Sequence, residues 1–91
     1  MNIQQTSVFK RKYKKLRKHD KEVVDTGIRE IMKNPSIGRF KKGDLLDHQI
    51  HKVTDKNREW LIAYIYGAKS LDLIDLGSHE NFYRNLKKRL N

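Results

Sequence analysis

The residues best suited to proton transfer lie in Gly77-Ser78-His79-Glu80-Asn81-Phe82-Tyr83. His79 and Tyr83 are four apart, so on a helix they project from the same side. At a helix amino terminus the charged imidazole is disfavoured, which leaves a neutral ring able to accept a proton near neutral pH. Backbone N–H groups at the same place can hold a phosphate. The same stretch also reads as a capped corner, with Ser78 as N-cap, Glu80 in the first turn and Phe82 and Leu86 as packing residues. Residue chemistry alone favours the corner.

The other polar candidates are weaker. His48 and His51 are three apart around a strand, which sends them to opposite faces, so at most one lines a cleft. Asp72 and Asp75 are spaced in the same way and are expected to point apart. His19 falls between two helices and reads as a solvated linker residue. The chain has no cysteine, no HExxH and no paired-histidine spacing on a helix, so no metal site is expected. A Gly-rich phosphate loop and a nucleophile elbow are also missing, and no cofactor is expected.

Positive charge is the strongest compositional signal. Against 11 Asp and Glu stand 21 Lys and Arg, a net charge of +10, which favours a polyanionic partner: RNA, DNA, an anionic membrane or an acidic protein. The cations fall in patches: Lys10 to Lys18; Arg39, Lys41 and Lys42; Lys52, Lys56 and Arg58; and Arg84 with Lys87 to Arg89. A footprint on nucleic-acid phosphate accounts for some of them. Tyr64 and Tyr66 stack bases if they face an open sheet floor, and pack in the core if they do not.

These residues need a scaffold, and 91 residues supply material for one hydrophobic core, hence a single domain over 1–91. Phe9, Tyr13 and Leu16 recur at helical spacing from Thr6 or Ser7, with a very basic outer face. Asp20 is read as the cap of a second helix, lined by Val24, Ile28 and Ile31 and ending near Asn34 before Pro35. The two helices are expected to form a hairpin, with Gly27 letting their backbones approach. Ile3 lies in a short extended start, and Gly38 to Gly43 reads as a basic loop. Strands follow at about Gln49 to Thr54, Trp60 to Tyr66 and Leu71 to Leu76. In the last, Leu71 and Leu73 are assigned to one face, and Asp72, Ile74 and Leu76 to the other. Phe82, Leu86 and Leu90 recur every four residues, as in a short closing helix. The expected fold is therefore α+β: an N-terminal helical hairpin on a small antiparallel sheet, with a short C-terminal helix. No signal peptide or membrane-spanning run is apparent, so the cytoplasm is the expected compartment.

The run from NPSIGRFKKGDL through WLIAYIY to LIDLGSHENFYRNLKKRL resembles the RelE/ParE superfamily of bacterial type II toxin–antitoxin toxins. The likeness covers nearly the whole chain. Its ending is similar to the G-x-H-x-x-x-F of YafQ-type toxins, in which the glycine, catalytic residue and aromatic fall on Gly77, His79 and Tyr83. The resemblance implies a ribosome-dependent mRNA endonuclease that stops translation and growth, with His79 as general acid or base. Tyr83 would stack on a base or orient the phosphate, and Lys52, Arg58 and Arg84 would stabilise phosphate charge. Lys41, Lys42 and His51 complete the expected RNA contacts. Many ribonuclease relatives carry an arginine early in the central strand, in a pattern like R-L-x-Y. Here Leu61 stands three before Tyr64, and Arg58 is the candidate substitute. Gyrase-poisoning members share the scaffold, so DNA gyrase is the alternative target. The implied partners are an acidic antitoxin, the ribosome and mRNA, and operator DNA through the antitoxin only.

Overall fold

A computed structural model describes residues 2–40, 48–56 and 58–78. The chain forms β1 (Asn2–Gln5), α1 (Ser7–Lys14), α2 (Lys18–Lys33), a 3-10 turn (Pro35–Ile37), β2 (Arg39–Phe40), β3 (Gln49–Asp55), β4 (Arg58–Tyr66) and β5 (Ser70–Ser78). The described residues make one five-stranded sheet in the order β1-β5-β4-β3-β2, so the class is α+β as expected. The expected closing helix at Phe82, Leu86 and Leu90 lies outside the described residues.

The sheet is mixed rather than antiparallel. Strands β2 to β5 pair antiparallel, but β1 lies parallel to β5, with Ile3 opposite Leu71. A parallel neighbour needs a long crossover, and α1, α2 and the three strands after them provide it. No local pattern in four residues announces such a distant partner.

Both helices rest on one face of this sheet. Thr6 starts α1 and also anchors it: its hydroxyl oxygen accepts from the Phe9 N–H at 3.0 Å and its hydroxyl donates to the Ile74 carbonyl at 2.7 Å. Phe9 then enters a core with Val24, Ile31, Val53, Ile62, Tyr64, Leu71, Leu73 and Leu76. α1 lies along β5, and α2 lies along β3 and β4. A link between the helices is Tyr13, whose hydroxyl donates to Asp25 at 2.7 Å beneath the Lys21 ammonium. The helices thus sit side by side on the sheet and do not close on each other as the expected hairpin.

Gly27 shows why. Its absent side chain makes room for the sheet, not for α1: a Cβ there would run into Val53 Cγ2 and lie 2.9 Å from Ile62 Cδ1. The inward row of α2 is Asp20, Val24, Gly27 and Ile31, the i, i+4, i+7, i+11 stripe of a helix lying on a flat surface. Asp20 belongs to this row and is not the cap; α2 begins at Lys18, with Arg17 as an N-cap that makes no side-chain bond.

One irregularity resets the faces of β5. Tyr64 pairs with Leu73 and Ala63 with Asp75, so Ile74 is an extra residue in the ladder, and side-chain parity reverses beyond it. Leu76 therefore joins Leu71 and Leu73 in the core, where strict alternation had assigned it to the opposite face. Asp72 and Asp75, expected to point apart, stand opposite Ile65 and Ala63, two register positions of the same parity. Ile50, Leu61, Ala63 and Ile74 form a second apolar cluster.

The chain leaving α2 is held by Tyr64. This side chain is fully buried, which excludes it from base stacking. Its hydroxyl donates to the Pro35 carbonyl at 2.6 Å and accepts from the Gly38 N–H at 2.9 Å. Burial holds the phenol above its ordinary pKa, so the proton stays in place to donate. Gln49 Nε2 donates to the carbonyls of Pro35 and Gly38. A Cβ on Gly38 would lie 2.6 Å from the Tyr64 oxygen, so only glycine allows this approach. Beyond it, Arg39 and Phe40 form a short edge strand where a loop had been expected.

Two substitutions test this packing by urea denaturation. Gly27→Val is expected to lower stability by about 1–3 kcal/mol through overpacking; an unchanged midpoint would contradict the close approach of α2. Tyr64→Phe leaves the buried Gly38 N–H without its acceptor and the Pro35 carbonyl with Gln49 alone, and is expected to cost about 1–3 kcal/mol.

Candidate functional site

One end of the sheet gathers a cluster of charged groups around Arg58. There β3 ends at Asp55, β4 begins at Arg58, and β5 ends at Ser78 opposite Trp60. Trp60 is two residues from Arg58, about 7 Å along the strand. The amino terminus of α2 comes to the same end, through two pairs. His19 Nε2 lies 2.6 Å from Asp55 Oδ2, and Arg58 Nη1 donates to Asp20 Oδ2 at 3.1 Å. Between them is a cleft of about 340 Å³ lined by Arg17, His19, Asp20, Asp55, Lys56 and Arg58.

The hairpin that carries Asp55 and Arg58 is built by a two-residue connection. Lys56 adopts φ of 51° there, in the left-handed region that tight hairpin turns require. Asp55 and Arg58 are cross-strand partners, so both present their side chains on the helix side, where α2 supplies the opposite charges. The Arg58 side chain remains 63% exposed and Asp20 only 11%. Apart from the bond to Asp20, the Arg58 guanidinium donors have no partner among the described residues, so the arginine can meet an anion while still bound to its carboxylate.

His19 is held above its ordinary pKa of 6.5, first by the hydrogen bond to Asp55 and then by the charges of Asp55, Asp20 and Glu22. It lies in the first turn of α2, gripping the hairpin, rather than in a solvated linker. Neither His19 nor Asp20 was legible as a clamp residue, because the partners stand 36 and 38 positions away in the chain.

The expected site residues divide three ways. Arg58 is at this end of the sheet. Lys52, whose strand neighbour opposite is Leu61, has the other parity from Arg58 and lies 3.3 Å from Glu59, so the two cations occupy opposite faces. His51, expected as an RNA contact, is largely buried against α2, with Nε2 2.9 Å from Glu30 Oε1 and 11% of its side chain open. His79, Tyr83, Arg84, Lys41 and Lys42 lie outside the described residues. Gly77 and Ser78, the lead-in to His79, are held opposite Leu61 and Trp60.

Residues 3–87 match the family model described as the ParE-like toxin of type II bacterial toxin-antitoxin system. The chain belongs to that family, and membership implies a cognate antitoxin as partner. No curated protein matches the chain. Among the described residues no helix is long and apolar enough to cross a membrane.

The clamp has a pH dependence of defined sign. A histidine whose folded pKa is raised contributes stability that is fully present below its unfolded value of 6.5 and lost as pH rises through the folded value. The gap between the denaturation midpoints of the native chain and a His19→Gln variant should be widest below pH 6.5 and close at higher pH. A gap that widens with pH would contradict the His19–Asp55 pairing.

Proposed function

We propose that this ParE-like toxin is a ribosome-dependent mRNA endonuclease, in which His79 moves a proton as general acid or base. In the reaction the 2′-oxygen of one nucleotide attacks the adjacent phosphorus and gives its proton to a base, while the bond to the 5′-oxygen breaks and that oxygen takes a proton from an acid. The products are a 2′,3′-cyclic phosphate and a 5′-hydroxyl. Such a reaction needs proton-transfer groups and cations at the developing charge.

The observation that supports this reading is the delivery of the chain at Gly77-Ser78. These residues are locked in register on β4, on the end of the sheet that bears Arg58, and His79 is next in sequence. Arg58, with open donors, is assigned to the phosphate. Tyr83 is assigned to orienting the base or phosphate, and Arg84, Lys41, Lys42 and Lys52 to RNA contacts. The basic composition and the G-x-H ending agree with an RNA substrate.

A second reading, a non-catalytic toxin that poisons DNA gyrase, is favoured by one observation. Arg58 and Lys52 are each engaged by a carboxylate, Asp20 and Glu59, on opposite faces, whereas a phosphate-cleaving site gathers its cations at one point.

Inducing the protein without its antitoxin separates the two. The native chain is expected to produce translation-dependent, codon-phased mRNA ends. His79→Ala should reduce cutting by about 10²–10⁴-fold, the usual share of acid–base catalysis, and relieve growth arrest while retaining antitoxin binding. Undiminished toxicity of the variant, with trapped gyrase–DNA breaks, would establish the second reading.

A further inference from the structure

The residues Lys10, Arg11, Lys14, Lys15, Arg17 and Lys18 are all exposed, and none has a carboxylate partner among the described residues. The nearby Lys12 differs: it is turned inward and bound to buried Asp75 at 2.8 Å. On α1 the outward positions Ser7, Lys10, Arg11 and Lys14 follow the i, i+3, i+4, i+7 spacing of one helix face, while Phe9 and Tyr13 occupy the inner face. The stripe continues through Lys15 at the C-cap and Arg17 at the N-cap of α2. Arg17 also lines the cleft with Lys56 and Arg58, beside the carboxylates Asp20 and Asp55, so the stripe reaches the end of the sheet that bears Arg58.

We propose that this stripe is a docking surface for the phosphate backbone of double-helical RNA, leading into the cleft at Arg17. The choice of RNA over DNA rests on the ribosome-directed reading above; the choice of nucleic acid over an acidic protein rests on what the surface lacks. Every exposed residue from Ser7 to Lys18 is polar or charged. The large exposed apolar side chains, Ile3, Met32, Ile37, Phe40 and Tyr66, are elsewhere. A protein segment that folds on binding draws its affinity from buried apolar and aromatic anchors, and this stripe offers none. Backbone docking on nucleic acid needs a positive, polar surface and gains from counterion release. Holding four of these cations on a capped helix and its C-cap fixes their spacing before RNA arrives. The other two flank the start of α2.

The test is equilibrium binding of a labelled 20-base-pair RNA duplex to the full chain carrying His79→Ala, without ribosomes, so that the outcome is independent of whether His79 cleaves. Affinity should fall steeply with salt. A Lys10→Gln/Lys14→Gln/Arg17→Gln variant should bind at least tenfold more weakly and lose about 0.9 of salt slope for each cation removed. A Lys33→Gln/Lys69→Gln variant, altered on other surfaces, should bind like its parent. Unchanged affinity and slope in the triple variant would overturn the proposal, as would an equal loss in the double variant. Equal or tighter binding of a DNA duplex of the same sequence, or of poly-glutamate, would also overturn it. Circular dichroism of the triple variant, whose changes are all solvent-facing, is expected to match the parent.

Discussion

The close seating of α2 on β3 and β4 at Gly27 governs the geometry of the whole helix side. With no Cβ at this position, the helix descends onto Val53 and Ile62, and that descent sets the reach of every group along its inner edge. Toward the amino terminus Asp20 meets Arg58 and His19 meets Asp55; toward the carboxyl terminus Glu30 meets His51. A larger residue at 27 would lift the helix and stretch all three pairs together. Core burial therefore comes first in this fold, and the polar pairs are its consequence: exposed ion pairs are worth little on their own, whereas Val24, Ile31, Ile62 and Tyr64 are buried completely.

The same seating shapes the distribution of charge. A chain of net charge +10 repels itself, and the fold spends its carboxylates unevenly. Asp20, Asp55, Glu30, Glu59 and Asp75 are drawn into pairs that hold helices or strands in place. The exposed cations Lys10, Arg11, Lys14, Lys15, Arg17 and Lys18 around the α1–α2 junction receive none of them. Among the described residues this leaves a run of unpaired cations at the α1–α2 junction, near the end of the sheet where Arg17 and Arg58 line the cleft. For a protein acting on a polyanion, the field of such a run raises the encounter rate and biases the approach toward that end.

Much of the architecture was legible as local periodicity. α1 begins at Ser7 behind its Thr6 cap, α2 ends before Asn34 and Pro35, and β3 and β4 fall within a residue or two of the apolar runs that announced them. What escaped was long-range. The parallel place of β1 depends on a partner 68 residues away. Ile74 flips Leu76 into the core through a bulge that shows only once β5 is set against β4. Gly27 was legible as a site of close approach, but its neighbour was not, since a missing side chain does not say what fills the space. His19 and Asp20 looked like linker and cap because their partners belong to a distant hairpin. Of the candidate site, His79 and Tyr83 were read from the ending of the sequence and lie outside the described residues, while Arg58 was picked out and stands at the hairpin end of the sheet; the opposed faces of Arg58 and Lys52 follow from strand register and could not be read from composition.

The most direct measurement is a reconstituted one: purified chain, ribosomes programmed with a defined mRNA and a vacant A site, and mapping of the fragment ends. An endonuclease working through His79 gives cuts confined to the A-site codon, with 2′,3′-cyclic phosphate on the upstream fragment and no cutting of the same mRNA without ribosomes. Intact mRNA in this assay, alongside cleavage complexes when the chain is given gyrase and plasmid DNA, would contradict it.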